Sequence, residues 1–470
     1  MSAAVERFWQ SRACLVLLGV LAAAVFGRFV SVAVSYGIPA WFDEELNPLV
    51  RWLTRGQPIT AIDLRQYGVI TYLAFHPAIA LFGPDFHTLA VYGLAPALIG
   101  AIGGLVLVGA RLFPGNWRAL LLLTVGWFAF EPLLYVVSQR MVDAWQLFFL
   151  SLAFFCWTST NSRVRLRTGL PLAIATMTKL LPALLIVYLL IRSWRVGLVG
   201  VAGVLALLGV GQVVYGSDMG FGYPFVLLAG SHDAVANWST HYENNSVRGL
   251  LYKAAAGFRL QGDTTAYVLS RDWLPVLNVV AYAAAAALIA YLLWVAWRSR
   301  GPASPERRGV EFGLGVVTML LVSPHTAQDY TVAVLPVLAL WAALGWRGWP
   351  RPWSAPLAGA AVLAALLIGV FLPMSMMTRI VPIDRLLELT HNAQNALFTT
   401  DQIGLGVGAW DFFGFPGLGL LIAYGVSVTL EVWSRHPRPV GSQAEAQAAA
   451  RAQAAPVVRG GVGVAGGALD

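Results

Sequence analysis

The chain has 470 residues, of which 58% are hydrophobic and only 11% charged, and its mean hydropathy is +0.68. A soluble protein carries about a quarter charged residues, so this composition excludes an ordinary water-soluble enzyme, and the abundance of apolar side chains excludes disorder for the bulk of the chain. The net charge of +8 reads first as arginine in cytoplasmic loops, not as a nucleic-acid patch.

A membrane-spanning helix needs about 20 apolar residues. Runs of this kind lie at Ala13–Val34, Tyr67–Gly83, Leu89–Leu112, Ala119–Val137, Ala144–Trp157 and Gly169–Ile191. Others follow at Val196–Tyr215, Trp273–Trp297, Val310–Val322, Tyr330–Trp346, Leu357–Leu372 and Gly414–Trp433. Their length and weak alternation point to helices, not to a membrane barrel. The expected fold is an all-α polytopic membrane protein of about 10–13 transmembrane helices, with the first run read as a retained anchor. Cys14 and Cys156 both fall in apolar runs and provide neither a disulfide framework nor metal-site spacing.

Arginine orients the helices. Arg7 and Arg12, Arg298 to Arg308, Arg347 and Arg351, and Arg435 and Arg438 can all be cytoplasmic in one arrangement with both termini inside. Arg163, Arg165 and Arg167 disobey it, falling outside unless Gly169–Ile191 is re-entrant and an earlier short run fails to cross. The outer segments are then 35–66, 216–272, 323–329 and 375–413. Residues 1–440 are expected to form one transmembrane domain. The Ala-, Gln- and Gly-rich stretch 441–470 reads as a disordered cytoplasmic tail.

Five polar groups stand out. Asp43, Glu44 and Glu45 follow Trp41 and Phe42 in the first outer segment, ahead of an amphipathic stretch, Leu46–Leu53, that suits a membrane surface. Carboxylates there can act as general bases, or they are simply solvated interfacial charges. Lys179 and Lys253 are the only lysines in the chain. Lys179 lies inside an apolar run, three residues before Pro182, where it either meets an anion such as a lipid phosphate or snorkels to the interface. Glu131, Gln139, Arg140, Asp143 and Gln146 form a third group. Gln139 and Asp143 share a face if the helix continues, and an internal Arg140–Asp143 pair is the plainer reading. The segment Trp238 to Leu250, with His241, Asn244, Asn245, Ser246 and Arg248, is dense in groups that can bind sugar hydroxyls or phosphate, as any polar loop is. His325 and Asp329, four apart after Ser323-Pro324, would share a helix face and bind phosphate, or merely cap the next helix. No Walker motif or dinucleotide fingerprint is present.

Taken in order, these features resemble the GT-C class of integral-membrane glycosyltransferases, and within it glycosyltransferase family 87. That family comprises the polyprenyl-phosphate-mannose-dependent mannosyltransferases and related arabinofuranosyltransferases. The matching pieces are the acidic Asp43-Glu44-Glu45, the Glu131-Pro132 and Gln139 placement, Lys179-Leu-Leu-Pro182, Asn244-Asn-Ser246-Val-Arg248-Gly249-Leu250, and Ser323-Pro324. The family's Tyr-Pro-Pro near the second helix is absent, with Tyr67-Gly68 standing there, and its paired histidines after Ser-Pro are replaced by Asp329-Tyr330.

The resemblance implies a GT-C-like bundle that transfers mannose or arabinofuranose from a polyprenyl-phosphate sugar to a hydroxyl of a glycolipid or glycan acceptor, on the outer face of the plasma membrane. Asp43 is the expected base, with Glu44 and Glu45 in reserve. Lys179, Arg248 and His325 would hold the donor phosphate. Gln139, Asp143, Tyr67, His241, Asn244, Asn245, Ser246 and Asp329 would contact substrate. No metal, cofactor or nucleic acid is expected. The alternative is a transporter or flippase of a lipid-linked or polar solute, which would rely on Lys179, Asp143 and Glu131.

Overall fold

The computed structural model describes residues 3–35, 41–57, 59, 68–225, 241, 243–256, 272–347, 355–369 and 414–435. The expected tail at 441–470 and the outer segment 375–413 lie outside them. Helices account for every expected apolar run, and no β-strand occurs among the described residues. In chain order they are α1 (Ala3–Gln10), α2 (Arg12–Ser35), α3 (Trp41–Arg55), α4 (Val69–Phe82), α5 (Phe86–Leu112), α6 (Trp117–Phe128), α7 (Glu131–Ser138), α8 (Asp143–Trp157), α9 (Ser162–Leu166), α10 (Gly169–Thr178), α11 (Ala183–Arg192) and α12 (Trp194–Tyr215). They continue with α13 (Val247–Ala256), α14 (Trp273–Arg298), α15 (Pro305–Val322), a 3-10 helix (Gln328–Val334), α16 (Leu335–Trp346), α17 (Ala355–Ile368) and α18 (Phe415–Ser434).

Among the described residues, six segments are long and apolar enough to cross a bilayer unaided, and α6 with α7, bent by 62°, makes a seventh if counted as one span. The remaining apolar runs are short or interrupted. Helix α4 has 14 residues and α8 has 15, about 21–23 Å at 1.5 Å per residue, less than the roughly 30 Å hydrocarbon core. Interrupted helices survive at membrane depth only where neighbouring protein satisfies the freed backbone groups. That condition holds here. Gln146 donates its side-chain amide to the carbonyls of Ala175 (3.4 Å) and Lys179 (3.3 Å), where α10 ends. The Gly68 amide reaches the carbonyl of Thr178 at 2.9 Å.

Glycine permits the closest approaches. A Cβ on Gly68 would lie 2.1 Å from the Met177 carbonyl oxygen, and one on Gly100 would lie 2.4 Å from that of Ala144. These contacts draw α4 onto α10 and α5 onto α8 until backbone meets backbone, the usual role of small residues between membrane helices.

The arginine clusters gather at one end. Arg308 donates to the carbonyls of Trp157 (2.9 Å) and Ser159 (2.8 Å), and Arg111 Nε to Thr158 Oγ1 (2.9 Å). Arg300 caps the Ile191 carbonyl at 2.9 Å and Arg192 reaches that of Gly301 at 3.1 Å. Arg347 donates to the Leu112 carbonyl, Trp9 packs on Trp346, and Arg298 and Arg435 share the Trp294 ring. The carbonyl ends of α5, α8 and α11 thus meet guanidinium groups from other elements, which satisfies orphan acceptors and suits the negative ends of the helix dipoles.

Arg163, Arg165 and Arg167 belong to this end, since α9 follows Trp157 directly and Arg165 caps the Ser159 and Thr160 carbonyls. Of the two readings left open for them, outside or beside a re-entrant Gly169–Ile191, the structure has the second. The reason is that α10 and α11 go in and come back. Gly169, at the start of α10, touches Val196 and Gly200 in α12, and Gly197 touches Leu190 near the end of α11. Both ends of the pair lie at the arginine end, and its break, Lys179 to Pro182, points away from it.

Candidate functional site: the junction of three helix breaks

Lys179 ends α10 in an extended conformation, φ −143° and ψ 135°, with Pro182 preceding α11. Only 2% of the residue is exposed. Its Nζ donates to Asp143 Oδ1 (2.9 Å) and Oδ2 (2.7 Å) and to Asp329 Oδ2 (3.1 Å), and it lies 3.8 Å from the centroid of the Tyr330 ring. Among the described residues in contact with it, one ammonium faces two carboxylates, an excess of negative charge when all three groups are ionised. Of the readings expected for Lys179, a partner for a lipid phosphate or a snorkelled ammonium, the burial excludes the second. The ammonium sits between two acids and over an aromatic face, the desolvated setting in which a cation–π contact is strongest.

Asp143 reaches Lys179 because the helix does not continue from Gln139. Gln139 ends α7, Arg140 takes a left-handed conformation at φ 54°, and α8 begins at Asp143. The expected shared face of Gln139 and Asp143 is lost in this turn. The expected Arg140–Asp143 pair is also replaced, as the Arg140 guanidinium donates to the Ser138 carbonyl. Glu131 pairs with Arg28 of α2 at 2.7 Å.

The second break runs from Ser323 to Ala327. His325 and Asp329 do not share a helix face, because the chain stays non-helical until the 3-10 helix at Gln328. Asp329 turns to Lys179, while the His325 ring lies edge-on to His241 (6.0 Å between centroids) and to Tyr330 (6.2 Å).

The third break, His241 to Ser246, is stitched to the second. The Asn245 amide donates to the Thr326 carbonyl at 2.7 Å, and the Thr326 amide to Asn244 Oδ1 at 3.1 Å. Asn244 Nδ2 donates to the Pro324 carbonyl at 3.0 Å. Asn244 Oδ1 also accepts from the Ser246 amide, and Ser246 Oγ from that of Gly249. A Cβ on Gly249 would fall 2.1 Å from the Asn244 carbonyl oxygen, which accounts for glycine in Asn-x-Ser-x-x-Gly. Asn244 and Ser246, expected to touch substrate, spend these groups on backbone and start α13. Asn245 is split: Nδ2 donates to the Glu243 carbonyl at 2.9 Å, and Oδ1 accepts from Lys253 at 3.3 Å.

His241 accepts the Glu243 amide at Nδ1 (3.3 Å), leaving its proton on Nε2. Burial, with the Lys253 ammonium nearby, pushes its pKa down to about 4. It is therefore neutral near pH 7, and the 3.8 Å approach of Glu243 is not an ion pair there.

Arg248 faces α14. Its guanidinium donates to Tyr252 Oη (2.8 Å) and Asn278 Oδ1 (2.6 Å) and lies over the Tyr252 and Tyr282 rings. Asp43, Glu44 and Glu45 occupy the first turn of α3, which begins earlier than the expected Leu46 and buries Leu46 and Leu49. The side chains of these three acids, and Tyr67, lie outside the described residues.

Two participants were missed in the sequence. Tyr330 stands where the resemblance expects a histidine, and that replacement was its signal. Lys253, only 2% exposed, was signalled by the scarcity of lysine.

Glycosyltransferase family 87 matches residues 66–324, more than half of the chain. A search of curated proteins finds no matching relative. Among solved structures, ArnT from Cupriavidus metallidurans bound to undecaprenyl phosphate is 15% identical, with a TM-score of 0.44 over 88% of this chain and 77% of that one. ArnT from the same organism in the apo state is 17% identical, with a TM-score of 0.43 over 91% and 78%.

Proposed function

The chain belongs to glycosyltransferase family 87, and from that premise we propose that it transfers mannose or arabinofuranose from a polyprenyl-phosphate sugar to a hydroxyl of a glycolipid or glycan acceptor. The reaction takes place at the outer face of the plasma membrane. The observation that carries this reading is the junction of three helix breaks at the far end of α10 and α11 from the gathered arginines. The positive-inside rule makes the arginine end cytoplasmic, which supports an outer-side location for the junction, the side on which a lipid-borne phosphate and an acceptor hydroxyl would meet.

The chemistry divides among the residues. Asp43, in the first turn of α3, takes the proton of the acceptor hydroxyl, with Glu44 and Glu45 in reserve. Displacement at the anomeric carbon is inverting, because one base and one leaving phosphate act on opposite faces. Positive charge develops on the sugar in an oxocarbenium-like transition state. The excess negative charge of Asp143 and Asp329 around Lys179 is of the sign that stabilises it.

The test is turnover by the purified protein in lipid nanodiscs, offered polyprenyl-phosphate mannose or arabinose with a panel of glycolipid acceptors. Wild type transfers sugar, and Asp43→Asn binds donor but loses transfer. Full transfer by Asp43→Asn moves the base to Glu44 or Glu45. A protein that binds no lipid-linked sugar is not the transferase proposed.

A further inference from the structure

The chain from residue 144 to 217 contains no aspartate or glutamate, yet it carries Arg163, Arg165, Arg167, Lys179, Arg192 and Arg195. Three of these cations are spent inside the protein. Lys179 meets Asp143 and Asp329, Arg192 meets Glu311 and the Gly301 carbonyl, and Arg165 caps the Ser159 and Thr160 carbonyls. Arg163, Arg167 and Arg195 are exposed, and none of their side chains makes a hydrogen bond or ion pair among the described residues.

The re-entrant course of α10 and α11 brings these three to one edge. Arg163 and Arg167 are four apart across α9, the spacing of neighbours on one helix face. Gly169 touches Val196 and Gly200 of α12, so Arg167, two residues before it, and Arg195, beside Val196, flank the same contact. The Arg195 guanidinium lies 5.5 Å from the centroid of the Trp194 ring, and Trp194 is 60% exposed. Leu198, one turn further along α12, is exposed as well, as is Leu170 on α10, whose side chain borders α12 at Gly203. Helix α12 is one of the segments long and apolar enough to cross a bilayer. The surface therefore runs from guanidinium groups, through an indole at the level that suits one, to an apolar strip at membrane depth. That sequence of chemistries matches a phospholipid in the order headgroup, glycerol, acyl chain. A soluble anion would use the guanidinium groups and leave the strip unmatched. A zwitterionic headgroup would bring no net charge to them.

We propose that Arg163, Arg167 and Arg195, with the exposed faces of Trp194, Leu198 and Leu170, form a docking surface for an anionic phospholipid of the leaflet at the arginine end. This goes beyond the transferase reading and does not depend on it.

The experiment reconstitutes the full-length protein in nanodiscs of equal phosphatidylcholine and phosphatidylglycerol, exchanges it into detergent, and quantifies the lipid that stays bound by mass spectrometry. Wild type should retain phosphatidylglycerol over phosphatidylcholine by about tenfold. Arg167→Gln/Arg195→Gln should lose most of that preference, Arg163→Gln should lower it in the same sense, and Arg167→Lys/Arg195→Lys should keep it. Arg12→Gln/Arg298→Gln, which removes the same charge elsewhere at the arginine end, should also keep it. Thermal unfolding in phosphatidylcholine nanodiscs, expected to match wild type, separates lost binding from lost fold. The proposal is overturned if wild type shows no preference, or if Arg167→Gln/Arg195→Gln and Arg163→Gln retain it within about twofold. It is equally overturned if Arg12→Gln/Arg298→Gln loses as much, since attraction to the whole arginine end then accounts for the binding. Displacement of the lipid from wild type by inorganic phosphate would make this a site for a soluble anion and would overturn the lipid assignment.

Discussion

Lys179 Nζ and Asp143 Oδ2 lie 2.7 Å apart, joining residues 36 positions distant across the ends of α10 and α8. Both are buried, and the second acid, Asp329, arrives from 150 residues away. The break at Lys179, the turn between α7 and α8 and the end of the Ser323–Ala327 break are thus tied to one ammonium group.

Removing that ammonium leaves two carboxylates buried without their counter-charge. Lys179→Met is expected to destabilise the protein by about 3–5 kcal/mol, because breaking a buried pair from one side costs far more than the pair contributes. Adding Asp143→Asn and Asp329→Asn to Lys179→Met should recover much of the loss. Thermal unfolding in detergent or nanodiscs reads both effects. A single variant as stable as wild type would contradict the electrostatic account of the cluster.

His241 gives the outer junction a pH dependence of definite sign. Its folded-state pKa, about 4, lies below the ordinary value, so the unfolded chain binds the proton first as pH falls. The stability tied to the neutral ring is fully present above roughly pH 6.5 and is lost progressively toward pH 4. The Tm of wild type should therefore fall more steeply than that of His241→Gln between these limits. Parallel Tm curves for the two proteins would remove His241 as the cause.

Gly68 cannot carry a side chain without moving α4 off the break at Lys179. A Cβ there would lie 2.1 Å from the Met177 carbonyl oxygen, and the Gly68 amide is bonded to Thr178. Gly68→Ala is expected to cost about 1–3 kcal/mol, in the range of other overpacked sites. Gly126→Ala, whose Cβ meets nothing within 4 Å, is the control expected to change Tm little.

The course of α10 and α11 is open to labelling from the two sides of the membrane. Cys14 and Cys156 are both buried free thiols and can be replaced first. Ser162→Cys and Ala303→Cys should then react with a membrane-impermeant maleimide from the same side, and Asp218→Cys from the other. Labelling of Ser162→Cys and Ala303→Cys from opposite sides would restore a spanning helix over 169–191 and with it the outer position of Arg163 to Arg167.

The helical class, the places of the apolar runs and the gathering of most arginines at one end of the helices were legible from local composition. Transfer to a bilayer is a property of each segment alone, and so is the bias of its flanking charges. The ordered motifs around Asp43, Lys179, Asn244 and Ser323 carried the family as well. The arginine pattern offered re-entrance of Gly169–Ile191 only as one of two alternatives, and the sequence did not show that Asp143 leaves the face of Gln139, or that Asn244 and Ser246 are spent on backbone while Lys253 lines the junction. Each depends on which partner a buried polar group finds. Those partners are 36, 82 and 150 residues away. The choice among them is made by glycine-tight packing that brings helix ends together and by the cost of leaving any such group unpaired in an apolar interior.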